Sequence, residues 1–117
     1  MTNTQGLAEK YKLAAVIALI YSNNGQSKLL LTKRSNNLDL HPGEISFPGG
    51  RQDAGDLDLK DTALRECEEE VGVNRNQVNI IGELGSFITS SNFEIFAFIA
   101  TSRCELEFNI NKDEVSQ

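Results

Sequence analysis

The sequence has no tryptophan and very little cysteine, proline or histidine: two cysteines, two prolines and one histidine among 117 residues. Cys67 and Cys104 lie too far apart in sequence to form a paired-cysteine metal site. Cys67 falls on an apolar helix face, so we expect a buried core residue rather than a reactive thiol. The only histidine, His41, adjoins Pro42 and is expected in a loop rather than as a catalytic base. This sparse use of cysteine indicates a cytoplasmic protein whose thiols are reduced.

Positive charge is also scarce, with 11 lysines and arginines against 17 acidic residues and a net charge of −6. This balance argues against a nucleic-acid backbone or an anionic membrane as a partner. The longest apolar run, residues 13–21, is too short to span a bilayer. No small-residue cleavage site follows it, so a secretory leader is not indicated. We therefore expect neither nucleic acid nor membrane as a partner.

An apolar content of 39% and a charged content of 24% are typical of a soluble globular protein. The length predicts one domain covering residues 1–117, with residues 1–12 flexible. Apolar runs separated by turn residues predict strands. The first two form a hairpin, and Gly82 marks a bulge in the third. The predicted strands are 13–21, 28–33, 78–84, 93–101 and 105–110; with one clear helix they give an α+β, or mixed α/β, fold class.

Residues 58–72 carry the helix signal. Ala63, Leu64, Cys67 and Val71 recur at helical spacing and form an apolar stripe. Asp58 is suited to the N-cap, where a side-chain oxygen accepts a hydrogen bond from the first turn. Gly72 is suited to the left-handed position that follows the last helical residue.

The carboxylates of this helix lie at its unfavourable end. Glu66, Glu69 and Glu70 share one sector of the C-terminal half, where the helix dipole and mutual repulsion each disfavour them by a few tenths of a kcal/mol. A solvated acidic face is one interpretation. A divalent metal site is the other, because Mg²⁺ takes oxygen ligands from carboxylates together with substrate phosphates. Arg65 is placed to pair with Glu69 one turn later.

The segment before the helix favours the metal interpretation. A glycine turn at residues 47–51 (FPGGR), an acidic loop and then R-E-x-x-E-E-x-G on a helix together resemble the Nudix box. The second half of the box is matched by Arg65, Glu66, Cys67, Glu69, Glu70, Gly72 and Val73. In the first half the acidic position falls on Asp56, and eight residues separate it from Arg65, whereas the family pattern has a glutamate separated by seven residues.

The aspartate at position 56 and the extra residue before Arg65 resemble the form of the box in the Nudix subgroup that hydrolyses coenzyme A and its derivatives. The residues upstream of the box, 30–35, Gly43 and 47–50, are similar to the signature of that subgroup. Asp39 stands where the signature has an arginine, which exchanges a cation for an anion. The resemblance covers approximately residues 13–115.

The resemblance implies hydrolysis of the pyrophosphate bond in a nucleoside diphosphate linked to another moiety, with Mg²⁺ or Mn²⁺ as cofactor. Coenzyme A is the favoured small-molecule substrate; ADP-ribose, NADH and dinucleoside polyphosphates are alternatives. A Nudix-fold module that binds a nucleotide without cleaving it is the alternative function. The intact acidic motif favours the enzyme, since a module without metal has no need of charges that cost stability.

The site residues expected from the resemblance fall into three groups. Glu66, Glu69 and Arg65 form the catalytic group, in which Glu66 is the preferred base and Arg65 orients a glutamate. The metal ligands are Glu69 and Glu70 principally, with Glu66 and the carbonyl of Gly50. The cations expected to bind substrate phosphates are Lys33, Arg34 and Arg51.

The Nudix fold implied by the resemblance places a mixed β-sheet between helices. Residues 111–117 resemble the start of a segment that leads, in relatives, into a further strand and a second covering helix. The fold is therefore expected to be truncated at its C-terminus. With one helix for two apolar sheet faces, we expect either a homodimer that buries the second face or a fragment of a longer protein.

Overall fold

The computed structural model describes residues 11–33, 45–102 and 105–110. The elements follow the order β1 (Lys12–Asn23), β2 (Gln26–Leu29), β3 (Thr32–Lys33), β4 (Ile45–Ser46), β5 (Gly49–Arg51), α1 (Leu59–Val71), a 3₁₀ helix (Arg75–Gln77), β6 (Val78–Ile88) and β7 (Phe93–Ser102). In the described ranges, no helix has the length and apolar character needed to cross a bilayer.

The main sheet has β1 and β7 at its centre, in the order β2-β1-β7-β6, with β5 also paired to β1. β1 and β7 run parallel, whereas β2 and β5 are antiparallel to β1 and β6 is antiparallel to β7. A parallel pair needs a long connection, and the chain between β1 and β7 contains α1. The mixed sheet with its helix confirms the mixed α/β fold class.

Helix α1 begins and ends as its sequence predicts. The Asp58 side chain accepts a hydrogen bond from the Asp61 N–H at 2.8 Å. Gly72 adopts a left-handed φ of 76°, and its N–H donates to the carbonyl of Glu68. A side-chain contact between Arg75 and Asp61 then ties the 3₁₀ helix back to the first turn of α1.

The core lies between α1 and one face of the sheet. Ala15, Ile17 and Leu19 alternate along β1 and are fully buried, together with Ala63 and Cys67 of α1. Each large aliphatic side chain buried in this way contributes about 1.5–3 kcal/mol. The intervening β1 residues face the opposite side, which no helix of the described part of the chain covers.

Two strand predictions need correction. The run 28–33 is not one strand: β2 ends at Leu29, and Thr32–Lys33 instead pairs with β4. Residues 105–110 have no regular structure, because they pack against the end of the helix rather than beside a strand. The N–H of Asn109 donates to the carbonyl of Val71 at 2.6 Å, and Leu106 packs against the core.

Strand β6 is longer than its predicted bounds of 78–84 and continues to Ile88. The expected irregularity at Gly82 is confirmed by a register shift between Ile80 and Gly82, and a second shift follows at Gly85. These shifts alter which β6 side chains face the helix side of the sheet.

Candidate functional site

Strand β5 lies between β1 and helix α1, and its two glycines make that position possible. Gly49 pairs with Val16, and a Cβ on Gly49 would overlap the carbonyl oxygen of Ala15 and lie 2.7 Å from the Cα of Val16. A Cβ on Gly50 would lie 2.6–2.8 Å from the carboxylate atoms of Glu66. Because neither residue has a side chain, the β5 backbone approaches β1 on one side and the Glu66 carboxylate on the other.

Arg65 joins the acidic loop to the acidic helix face. Its Nε and Nη2 donate to the two oxygens of Asp56 at 2.8 and 3.1 Å. Its Nη1 donates to Glu66 Oε2 and Glu69 Oε2, both at 3.1 Å. Nη2 also donates to the carbonyl of Arg51, at 3.0 Å. We call Arg65, Asp56, Glu66 and Glu69 the Arg65 network.

Asp56 is the residue of this network that fixes the arginine. Its side chain is only 3% exposed, and it also accepts hydrogen bonds from the Thr62 hydroxyl and the Asp53 N–H, each at 2.8 Å. The hydrogen bond from Arg65, above all, holds the pKa of Asp56 well below its usual range, and Asp56 in turn raises the pKa of Arg65. Both groups therefore stay ionised. Sequence reasoning identified Asp56 as the acidic box position but gave it no role in the site.

The three helix glutamates occupy different environments. Glu66 and Glu69 meet at Arg65, which confirms the expected pairing of Arg65 with Glu69. The Glu69 side chain is 47% exposed and so lies at the open edge of the network. Glu70 is 7% exposed and accepts a hydrogen bond from the Gly49 N–H at 3.3 Å. Glu70 is thus turned toward β5 rather than toward the open edge.

The donor chemistry of this edge fits a divalent ion. Within the described ranges, no group of three or more acidic, histidine or cysteine side chains is arranged to hold a metal. Mg²⁺ usually binds through only one or two carboxylates, with water and substrate phosphate as its other ligands, so a closed cage is not required. Carboxylate and carbonyl oxygens are ligands that Mg²⁺ and Mn²⁺ both accept. The assignment of Gly50, Glu66, Glu69 and Glu70 as ligands stays a prediction.

Two of the three predicted phosphate-binding cations lie in the described residues, on different strands. Arg51 is exposed at the end of β5, with its guanidinium carbon 5.6 Å from the ring centre of Phe93. Lys33 lies in the small β3–β4 sheet and is half-buried. Arg34 lies outside the described residues, as do Asp39 and His41. The phosphate-binding roles of all three cations stay predictions.

A cavity of about 810 Å³ opens on the sheet face opposite α1. We call it the sheet-face cavity; its lining includes Ala14 and Val16 of β1, Phe93, Ile95 and Ala97 of β7, Phe87 of β6, and Gly49, Gly50 and Arg51 of β5. Sequence reasoning did not find it. The available signal was the alternation in β7, which places Phe93, Ile95 and Ala97 on one face.

A family model described as the NUDIX domain matches residues 11–117. NudL of Yersinia enterocolitica, described as an uncharacterized Nudix hydrolase, is 40% identical over 88 residues, which are 75% of this chain and 45% of that protein. The chain spans about half the length of the curated relatives that it matches.

Solved structures show the same fold. The C. elegans Ap4A hydrolase in a binary complex superposes with a TM-score of 0.71 at 19% identity, over 86% of this chain and 74% of that chain. The NUDIX domain of Shewanella oneidensis NrtR, complexed with ADP ribose, superposes with a TM-score of 0.66 at 22% identity, over 98% and 79% of the two chains.

Proposed function

The chain belongs to the Nudix family, and from this premise we propose that it hydrolyses the pyrophosphate bond of a nucleoside diphosphate derivative, with coenzyme A or a related compound as the favoured substrate. The observation that carries the proposal is the Arg65 network. One arginine, fixed by a buried aspartate, gathers Glu66 and Glu69 at an edge that faces the Gly49–Gly50 backbone. Charged groups held in advance in this way are what phosphoryl transfer requires from a protein.

The proposed division of labour follows from the environment of each carboxylate. Glu69, at the open edge, and Glu70, beside β5, would hold the ion together with the Gly50 carbonyl. Glu66, with a side chain 13% exposed and close to Gly50, would accept the proton of the attacking water. Arg65 would keep Glu66 and Glu69 in position. When bound, Mg²⁺ or Mn²⁺ neutralises phosphate oxygens and lowers the pKa of a coordinated water.

The substrate preference depends on the sequence around the box. The aspartate at position 56 and the extra residue before Arg65 support coenzyme A derivatives. ADP-ribose, NADH and dinucleoside polyphosphates are the alternative substrates, and the complexed relative named above binds ADP ribose. All of these compounds share a nucleoside joined to a pyrophosphate or longer phosphate chain.

A non-catalytic nucleotide-binding module is the second candidate function. The observation in its favour is that Arg65 pairs with both Glu66 and Glu69. These two carboxylates thus have a partner that compensates their charge without any metal. In such a module the network would serve folding alone.

The two functions are separated by measuring nucleotide products from coenzyme A, ADP-ribose, NADH and Ap4A, with Mg²⁺, with Mn²⁺ and with excess chelator. We expect metal-dependent cleavage, fastest for coenzyme A. Glu69→Gln should lower kcat by about 10³-fold without lowering the Tm, since several kcal/mol of charge stabilisation depend on the metal. Glu83→Gln, an exposed glutamate of β6, is the control and should leave kcat unchanged. Nucleotide binding without cleavage under either metal would establish the module instead.

A further inference from the structure

Thr62 is a buried polar residue near the start of α1, and packing alone does not account for its hydroxyl. The residue is 0% exposed, as is its neighbour Ala63. Threonine is a weaker helix former than alanine, and a buried hydroxyl costs free energy unless it makes a hydrogen bond. A small apolar residue would occupy this position without the cost of the hydroxyl. We therefore expect the hydroxyl to have a role beyond packing.

The Thr62 hydroxyl has two acceptors within reach, and one of them is favoured. It lies 2.8 Å from Oδ2 of Asp56 and 3.2 Å from the carbonyl oxygen of Asp58. A hydroxyl has a single hydrogen to donate, and neither a carboxylate nor a carbonyl donates in return. The shorter contact is also the one with the charged acceptor, and hydrogen bonds to charged groups are the stronger ones. Thr62 thus donates to Asp56.

This hydrogen bond fixes the orientation of the Asp56 carboxylate. Oδ2 also accepts from the Asp53 N–H at 2.8 Å and from Arg65 Nη2 at 3.1 Å, so donors of the acidic loop and of α1 meet at this oxygen. Oδ1 then lies 2.8 Å from Arg65 Nε. Thr62 and Arg65 are three residues apart on the helix, so both contact the carboxylate from the same helix face. Rotation of the carboxylate would break its paired contact with the guanidinium.

The orientation of Arg65 in turn determines where its third nitrogen lies. With Nε and Nη2 bound to Asp56, the planar guanidinium places Nη1 3.1 Å from Oε2 of both Glu66 and Glu69. A tilt of the guanidinium would move Nη1 away from these two carboxylates, which the proposed mechanism needs in fixed positions. A chain of hydrogen bonds therefore connects a fully buried hydroxyl to the open edge of the site.

We propose that Thr62 is a positioning residue of the reaction: its hydroxyl fixes Asp56 and, through Asp56, the arginine that gathers the two glutamates. The reaction itself is the one given by the proposed function, on which this inference rests. Because Thr62 is fully buried and acts through other residues, loss of its hydroxyl should lower kcat and leave KM unchanged.

Three variants of the full chain test this role, with the compound that the wild type cleaves fastest as the substrate. Thr62→Val keeps the shape of the side chain but removes the hydroxyl, and it should lower kcat about tenfold, the worth of one hydrogen bond to a charged group. Thr62→Ser should stay within about twofold of the wild-type kcat, since the same hydrogen bond can form. Val78→Ala, in the core at the start of β6, is the control and should lower the Tm without changing kcat.

Exchange of the Arg65 Nε–H with water, followed by NMR in metal-free buffer, gives a readout that needs neither metal nor catalysis. The signal is assigned by its loss in Arg65→Lys. We expect exchange to be at least about fivefold faster in Thr62→Val than in the wild type or in Thr62→Ser. Normal kcat and normal exchange in Thr62→Val would overturn the proposal. Equal impairment of the valine and serine variants would overturn it as well.

The wild type provides a further measurement that depends on no variant. The Thr62 hydroxyl proton should exchange slowly, and its replacement by deuterium should shift the ¹³C signal of the Asp56 carboxylate. A shift at the carbonyl carbon of Asp58 instead, or a hydroxyl that exchanges freely, would overturn the proposal.

The two levels of the argument fail in different ways. Absence of cleavage by the wild type under either metal would remove the proposed function and, with it, the catalytic role of Thr62, whatever the exchange rate of Arg65. An active wild type with an unimpaired Thr62→Val would remove this inference alone.

Discussion

The two faces of the central sheet are built from the same strands but differ in almost every physical property. On the helix side, Ile17 and Leu19 of β1 are fully buried and pack against α1. On the opposite side, Val16 of β1 and Ile95 of β7 line a cavity. Successive residues of a strand point to opposite faces, so one strand supplies a packed core and a ligand-sized space at once. Substitutions on the two faces should therefore affect stability to different extents.

The two faces also differ in charge. The helix side ends in the Arg65 network, where carboxylates outnumber the cation that gathers them. Arg51 supplies the charge of the opposite side, among the lining residues that the structure describes. Strand β5 separates the two environments. The substitutions below measure how independent the faces are.

The largest contrast is expected between two phenylalanines on opposite faces. Phe98 is 3% exposed within the core, so Phe98→Ala should destabilise the protein by about 3–5 kcal/mol through lost burial and a cavity. Phe87→Ala, on the open face, should cost less than about 1 kcal/mol. Urea unfolding followed by far-UV circular dichroism measures both. Equal losses would show that the cavity face is packed in solution, for example by a second copy of the chain.

The adjacent glycines of β5 should separate activity from stability. In Gly50→Ala the atoms nearest to the new Cβ belong to the Glu66 carboxylate, at the end of a side chain, so the fold should tolerate the substitution. Displacement of that carboxylate should lower kcat by about 10²-fold. Gly49→Ala meets backbone atoms of β1 and should destabilise by about 1–3 kcal/mol. Steady-state kinetics and melting curves measured on both variants test this. A destabilised Gly50→Ala with normal kcat would show that Glu66 does not need its position.

Removal of the Asp56 charge should lower the stability of the protein through the Arg65 network, on the helix side of the sheet. Asp56→Asn should destabilise by about 1.5–3 kcal/mol, since it removes charge-assisted hydrogen bonds to Arg65. Because the native pKa of Asp56 is lowered, its contribution is present above the unfolded value of about 3.9 and is lost as the pH falls from about 5 toward the native pKa. Stability of the wild type should fall more steeply below pH 5 than that of the variant.

Asp53 provides the control for this experiment. Its carboxylate lies 3.6 Å from Arg65, but its side chain is 69% exposed. Asp53→Asn should therefore change stability by less than about 1 kcal/mol. A loss as large as that of Asp56→Asn would mean that total negative charge near Arg65, rather than the buried pair, holds the network together.

The smallest expected effect concerns the buried thiol of the helix. Burial raises the pKa of Cys67 to about 12, so almost no thiolate exists near neutral pH. In a Cys104→Ser background, iodoacetamide should label Cys67 very slowly in the native protein and rapidly in denaturant. Activity and stability of the native protein should be unaffected by exposure to the reagent. Rapid native labelling would show that α1 separates from the sheet.

Much of the fold could be predicted from the sequence because the patterns that specify it are local. The apolar spacing in α1, its Asp58 cap and the Gly72 terminus each involve residues within a few positions of one another. The assignment of 105–110 as a strand was wrong because alternation describes exposure, not pairing. In the structure those residues follow the end of α1, where Asn109 bonds to Val71.

The candidate site could be predicted from the sequence only in part. Helical spacing brought Glu69 to Arg65, as expected for neighbours one turn apart, and the structure adds a contact between Arg65 and Glu66. The same spacing predicted that Glu70 lies beside Glu66 and Glu69. In the structure Glu70 is instead buried against β5, because its orientation depends on the strand that packs beside the helix. The role of Asp56 needed the fold of the acidic loop, which returns the carboxylate to Arg65.

The sequence by itself determined the helix, most of the strands, the acidic box and, through that box, the family. These features depend on residue type and short spacing, which the chain carries before it folds. Only the tertiary structure decided that β1 and β7 pair in parallel, that β5 lies between β1 and Glu66, and that Phe87, Phe93 and Arg51 line one cavity. Those contacts join residues distant in sequence, and the order of strands in the sheet, which no local pattern encodes, sets their geometry.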